Sequence, residues 1–190
     1  MEINKIPMNV YAETHMDLND KYLSQLLATI ELIRRGNVNG EEFSNHSFGW
    51  QSSDLPQNGT FIPFIQKLNN KCIEFCKSIK GFKFTDLTVT KFWANINYEN
   101  DINWPHKHQG DLSGVFYLQA TENSGDLILE NPNYDMNNKI SSHLHNKFTI
   151  AIRPIKNKLI LFDANCLHLV TKNNCKQPRI SISFNIVIND

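Results

Sequence analysis

The stretch Arg179-Ile180-Ser181-Ile182-Ser183-Phe184-Asn185-Ile186 alternates polar and apolar side chains. Successive side chains of a β-strand point to opposite faces of a sheet, so the alternation predicts a strand with one polar and one apolar face. Thr90–Tyr98 and Ser113–Ala120 show the same alternation. A polar face would normally lie against solvent, but here it also carries the arginine of a candidate ligand site. We therefore expect a sheet whose apolar face packs on helices and whose polar face lines a cavity.

The strand pattern begins at Leu87 and continues to the end of the chain. The predicted strands are Leu87–Tyr98, Ser113–Ala120, Asp126–Glu130, Phe148–Arg153, Lys158–Asp163, Leu167–Lys172 and Arg179–Ile188. Many short strands separated by turn residues are typical of a sandwich or a barrel.

The first part of the chain is predicted to be helical. Apolar side chains recur every three or four residues in Asp17–Arg35 and in Phe61–Ile79, and a glycine follows each stretch. Asn45–Ser52 between them is predicted to be a loop with a short strand. At 190 residues the chain is most simply one domain, with a helical support region over 1–86 and a strand-rich core over 87–190.

Composition excludes several classes of partner. Lys+Arg and Asp+Glu are both 19, so no basic field favours nucleic acid or an anionic membrane surface. There is no apolar run of about 18 residues, and the N-terminal stretch has no signal-peptide pattern. The four cysteines form no recognisable framework, so we expect reduced thiols in a cytoplasmic protein without nucleic-acid or membrane partners.

A spaced set of polar residues indicates a metal site. Pro105-His106-Lys107-His108 holds a close histidine pair, His168 follows at a distance, and Arg179 lies eleven residues beyond His168. Imidazoles bind divalent first-row metals firmly, and open coordination positions leave room for a bidentate organic acid. The guanidinium of Arg179 is a planar, permanently charged partner for a carboxylate.

Other polar residues have less specific patterns. Asp163 could orient a metal-bound imidazole or cap a turn, and Tyr117 faces the predicted cavity, where it could contact a ligand. The histidines of His143-Leu144-His145 lie in a polar segment and are predicted to be on the surface. The segment Asn131–Lys147 itself could form a lid over a substrate.

The motifs, taken in order, resemble those of the Fe(II)/2-oxoglutarate-dependent oxygenases, and most of all those of small members from marine bacteria and phages. The resemblance implies a mainly β fold, a double-stranded β-helix (jelly-roll) core with flanking helices. The matching stretches are Asn103–His108, Leu112–Leu118, Ser124–Pro132, Pro154–Phe162, His168–Val170 and Arg179–Asn185.

By this resemblance, His106 and His168 are iron ligands, Arg179 binds the distal carboxylate of 2-oxoglutarate, and Ser181 adds a hydroxyl to it. Tyr117 is a further candidate for contact with the cosubstrate. The implied cofactors are Fe(II), 2-oxoglutarate as cosubstrate and O₂, with ascorbate as a stimulant.

The third ligand departs from the family pattern. The family usually has His-x-Asp, but the residue two positions after His106 is His108. Three alternatives remain open: His108 completes a three-histidine site, Asp111 supplies the carboxylate, or water completes a two-histidine site.

The resemblance implies a dioxygenase that hydroxylates a small molecule or a peptide or protein side chain and releases succinate and CO₂. The alternative is a non-catalytic, cupin-like metal-binding jelly-roll or a phage accessory module, for which the missing carboxylate is the best support. A zinc hydrolase with three histidines is a weaker possibility.

Overall fold

A computed structural model describes residues 11–43, 49–131, 139 and 149–189. In chain order its elements are β1 (Tyr11–His15), α1 (Asp20–Gly36), β2 (Trp50–Gln51), a 3₁₀ turn (Gly59–Phe61), α2 (Ile62–Ser78), β3 (Asp86–Asn97), β4 (Asn103–His106), β5 (Leu112–Gln119), β6 (Leu127–Glu130), β7 (Thr149–Ile152), β8 (Lys158–Asp163), β9 (His168–Val170) and β10 (Arg179–Asn189). Neither described helix is both long and apolar enough to cross a membrane.

The strands form two antiparallel sheets. The larger sheet has the order β1-β8-β5-β10-β3-β2, and the smaller has the order β4-β9-β6-β7. From β3 to β10 the chain passes repeatedly between the two sheets, because β3, β5, β8 and β10 belong to one and β4, β6, β7 and β9 to the other. Eight strands wound in this way form a double-stranded β-helix, and the predicted jelly-roll core is confirmed.

The two helices cover the outer face of the larger sheet. The Asn19 side chain accepts a hydrogen bond from the Tyr22 N–H at 2.9 Å and so caps the first turn of α1. Phe64 of α2 lies against Phe92 of β3 and, with ring centroids 5.3 Å apart, against Phe116 of β5. Burial of these rings fixes which face of the sheet packs on the helices, and its polar face is left to line the interior.

Most of the predicted elements are confirmed. Both helices are present: α1 covers Asp20–Gly36 where Asp17–Arg35 was predicted, and α2 covers Ile62–Ser78 where Phe61–Ile79 was predicted. The apolar face of β10, predicted from alternation, supplies Ile182, Phe184 and Ile186 to the main core. The seven predicted strands are all present, although Leu167–Lys172 is shortened to His168–Val170.

Two strands were absent from those that the alternation pattern predicted. β1 pairs with β8 at the edge of the larger sheet, and β4 pairs with β9 in the smaller sheet. The proposed lid over Asn131–Lys147 lies outside the described residues except for Asn131 and Lys139, and the surface prediction for His143 and His145 lies wholly outside them.

Candidate active site

A cavity of about 560 Å³ lies between the two sheets. Its floor is the polar face of the β10–β3 pair, so the predicted polar lining is confirmed. Four cross-strand pairs of β10 and β3 run from one end of the cavity to the other. They are Arg179 with Asn97, Ser181 with Asn95, Ser183 with Trp93, and Asn185 with Lys91.

Three histidines meet in this cavity. His106 and His168 are directly opposite each other in the β4–β9 pair, with ring centroids 4.3 Å apart. His108 follows β4, where its backbone N–H donates to the Ala164 carbonyl at 2.9 Å. One ring nitrogen from each histidine lies within 4.8 Å of the other two, a spacing that a single metal ion can bridge. The sequence prediction that these three residues converge is thus supported by the geometry.

Hydrogen bonds select the tautomer of two of the rings. Nδ1 of His106 lies 2.6 Å from the Trp104 carbonyl oxygen, and Nδ1 of His168 lies 2.9 Å from the Cys166 carbonyl oxygen. Because a carbonyl can only accept, each Nδ1 carries the proton and each Nε2 keeps its lone pair. Backbone carbonyls of this kind commonly orient metal-bound imidazoles.

Burial keeps the histidines neutral. It lowers the pKa of His108 to about 3 and the pKa of His168 to about 4, and repulsion from the neighbouring histidines adds to the effect. Burial likewise lowers the pKa of His106. Neutral imidazole is the form that binds metal, so the donor set fits a divalent first-row ion.

Two aspartates near the histidines have other partners. One carboxylate oxygen of Asp111 accepts a hydrogen bond from the Ile188 N–H at 2.8 Å, and Asp111 is outside the cluster of metal-binding groups. Asp163 accepts from the Asn165 N–H at 2.8 Å and so caps the turn after β8. The Cys166 carbonyl, rather than Asp163, orients His168.

Arg179 lies at the inner end of the cavity and is 2% exposed. Its Nη1 donates to the Ser124 carbonyl at 2.8 Å and to the Gly125 carbonyl at 3.1 Å, and its Nη2 donates to Asn103 Oδ1 at 3.3 Å. Within the described residues no carboxylate forms a salt bridge with it. A buried guanidinium held by neutral oxygens has charge left for an anionic ligand.

The residues around Arg179 complete a polar pocket. Ser181 and Tyr117 are a cross-strand pair, and both are buried and line the cavity. Burial raises the pKa of Tyr117 to about 12, so its hydroxyl keeps its proton and can donate. Asn97 Oδ1 is buried without a hydrogen-bond partner in the part of the chain that the structure describes. Such an orphaned polar atom is typical of a site completed by a ligand or water.

The sequence of this chain matches the model of a known protein family. The model of a family described as "Putative 2OG-Fe(II) oxygenase" matches residues 91–185, half of the chain. The chain belongs to this family of 2OG-Fe(II) oxygenases. Its cofactor is therefore Fe(II), its cosubstrate is 2-oxoglutarate, and the protein is a 2-oxoglutarate-dependent oxygenase.

Solved structures share the fold at low identity. A Pseudomonas putida prolyl-4-hydroxylase has a TM-score of 0.65 and 12% identity, over 95% of this chain and 92% of that one. A Trichoplax adhaerens prolyl hydroxylase, in complex with a hypoxia inducible factor peptide fragment, has a TM-score of 0.65 and 18% identity, over 96% of this chain and 84% of that one. HygX from Streptomyces hygroscopicus, with nickel, 2-oxoglutarate and hygromycin B bound, has a TM-score of 0.67 and 7% identity, over 95% of this chain and 83% of that one. No curated protein matches the chain.

Sequence reasoning assigned no role to three polar residues of the cavity. Asn103 contacts Arg179, Asn97 presents its orphaned oxygen, and Lys91 lies at the opposite end of the cavity. Alternation along β3 already put Asn97 and Lys91 on the polar face, so that signal was available. Asn103 gave no such signal, because the pairing register of β4 shifts between Asn103 and His106.

Proposed function

We propose that this oxygenase holds Fe(II) on His106, His108 and His168 and binds 2-oxoglutarate at Arg179, in order to hydroxylate an organic substrate. The observation that carries the proposal is the convergence, in one cavity, of three neutral histidines and a buried arginine that has no salt bridge within the described residues. Bound iron and 2-oxoglutarate supply the oxidation of an unactivated carbon by O₂, with release of succinate and CO₂.

The choice of His108 as third ligand rests on two contacts. Its ring centroid is 4.9 Å from that of His106 and 4.9 Å from that of His168, so its nitrogen can reach the same ion. The Asp111 carboxylate, by contrast, is engaged by the Ile188 N–H. Moving Asp111 to the metal would break that hydrogen bond, at a cost of about 1 kcal/mol.

Arg179 and its neighbours would hold the cosubstrate. The guanidinium would pair with the distal carboxylate, while the Ser181 and Tyr117 hydroxyls would donate to the same group. Both hydroxyls lie on the cavity lining beside Arg179. Apolar walls that include Leu127, Phe162 and Val170 would limit water at the bound cosubstrate, which strengthens each of these charged contacts.

The substrate is proposed to be a small molecule or a peptide or protein side chain. One structural neighbour is a prolyl hydroxylase with a bound peptide and another has bound hygromycin B, so the shared fold accommodates both kinds of ligand. Four statements remain predictions: the single-domain organisation over 1–190, the cytoplasmic location, the stimulation by ascorbate, and the similarity to marine and phage proteins.

Anaerobic calorimetry with Fe(II) and then 2-oxoglutarate tests this proposal, followed by assay of succinate after admission of O₂. We expect one equivalent of iron, binding of 2-oxoglutarate that depends on it, and slow succinate formation even without substrate. An iron-loaded protein that neither binds nor consumes 2-oxoglutarate would contradict the proposal, and a tightly held equivalent of zinc in its place would favour a hydrolase.

A further inference from the structure

Lys91 lies at the end of the cavity opposite Arg179. The two residues belong to cross-strand pairs separated by six positions of β3, or about 20 Å along an extended strand. The Lys91 ammonium is 5.0 Å from the ring centroid of Phe43 and 5.8 Å from that of Trp93. The Trp93 ring in turn lies 5.3 Å from the ring of His108. Trp93 is therefore a neighbour of both the Lys91 ammonium group and the His108 ring.

The charges of the cavity lining are all of one sign. Among the described residues, Lys91, Lys107 and Arg179 line the cavity, and no aspartate or glutamate does. The buried Asp101 interacts electrostatically with Arg179 but does not line the cavity. Bound ferrous iron would add two positive charges. The two negative charges of 2-oxoglutarate would neutralise the charge of the iron but not the charges of the lining residues. The cation at the Lys91 end is left without an anion.

The charge of Lys91 is not offset by a neighbouring carboxylate in the part of the chain that the structure describes. No carboxylate in the described ranges forms a salt bridge with it, whereas the buried Lys158 is paired with Glu13 at 2.8 Å. Aromatic faces attract an ammonium group but leave its N–H donors unsatisfied. A lysine that is held by two rings at a cavity wall, with free donors, can accept a carboxylate without first breaking another ion pair.

We propose that the prime substrate is a small organic acid whose carboxylate pairs with Lys91 while its carbon chain crosses the face of Trp93 towards the histidines. This inference rests on the proposed function, because the histidines define where the reacting carbon must lie. Arg179 would hold the acid group of the cosubstrate at one end of the cavity and Lys91 that of the substrate at the other. A carboxylate, which carries one negative charge, matches the single ammonium group of Lys91. The described lining at this end has one further cation, Lys107, and that side chain is exposed to solvent.

The test uses the full chain loaded anaerobically with Fe(II) and saturated with labelled 2-oxoglutarate. Butanoate, hexanoate and octanoate are titrated by calorimetry, each beside its primary amide, which has the same shape without the charge. We expect at least one acid to bind on the order of tenfold more tightly than its amide, the size of a partly screened charged pair. The preference should vanish in Lys91→Met and persist in Lys91→Arg.

Lys83→Met is the matched control, because Lys83 is exposed and does not line the cavity. It removes the same charge and should leave the preference unchanged. The inference is overturned if the amides bind as tightly as the acids, if no acid binds, or if the preference survives Lys91→Met. Tighter, Lys91-dependent binding of hexyl phosphate than of hexanoate would overturn the carboxylate in favour of a phosphate.

Retention of the labelled 2-oxoglutarate separates this inference from the proposed function. Loss of label from the wild-type protein before any acid is added would contradict the proposed function itself. Displacement of the label by the acids would mean that they bind at Arg179, which overturns the role of Lys91. Full retention without any preference for acids would overturn only the present inference.

Discussion

Replacement of Arg179 by lysine separates cosubstrate binding from metal binding. The native guanidinium donates three of its five N–H groups to neutral oxygens, and its buried positive charge and the other N–H groups are left for a ligand. A lysine keeps the charge but has one nitrogen, so it cannot hold the carbonyls of Ser124 and Gly125 and a carboxylate in the same planar geometry. We expect 2-oxoglutarate affinity to fall by about 1–3 kcal/mol, roughly ten- to a hundredfold, the range for hydrogen bonds to charged groups.

Anaerobic calorimetry measures both affinities in one experiment. Iron binding to Arg179→Lys should equal that of the wild type, because His106 and His168 lie on β4 and β9 and His108 lies in the loop after β4, all away from β10. Arg179→Met, which keeps a similar chain without charge, should weaken 2-oxoglutarate binding further than Arg179→Lys does. If iron and 2-oxoglutarate affinities fall in parallel in both variants, Arg179 is a structural residue and the assignment is refuted.

Two other predictions follow from the site. In metal titrations, His108→Ala should weaken iron binding strongly and Asp111→Ala should leave it nearly intact. His108→Asp should retain iron on a site of two histidines and one carboxylate. The reverse order for the two alanine variants would assign the third ligand to Asp111. Gly125→Ala should cost at least about 1–3 kcal/mol in the free energy of unfolding, because φ is +92° and the new Cβ would clash with the Thr171 carbonyl oxygen and lie 2.9 Å from Arg179 Nη1. It should weaken 2-oxoglutarate binding as well. Gly36→Ala at the end of α1, whose new Cβ meets no atom within 4 Å, should not destabilise the protein and should leave that binding unchanged in denaturation and binding measurements.

Periodicity predicted the elements with strong local patterns. The helices were visible because apolar residues recur at helical spacing, and β10 because polar and apolar residues alternate from Arg179 to Ile186. β1 was missed because Tyr11–His15 is an edge strand with partly exposed side chains on both faces. Its position depends on pairing with β8, nearly 150 residues away in the chain, and such a contact leaves no local signature.

β4 was missed for a different reason. It contains Pro105, which cannot donate to a strand pairing, and its register with β9 shifts between Asn103 and His106. The same irregularity brings the Asn103 side chain to Arg179 while His106 faces His168. The feature that hid the strand from sequence analysis is therefore part of how the strand builds the site.

The unusual third ligand and the lining of the cavity are consistent with one electrostatic arrangement. With His108 in place of a carboxylate, the ligand set would be neutral and bound Fe(II) would keep both of its positive charges. The described lining adds cations at Lys91, Lys107 and Arg179 and no anion to offset them. Repulsion among these charges would oppose iron binding until an acid enters, and 2-oxoglutarate would then contribute its two negative charges at the metal and at Arg179. Iron affinity in such a cavity should consequently rise when 2-oxoglutarate is present, since binding linkage is reciprocal.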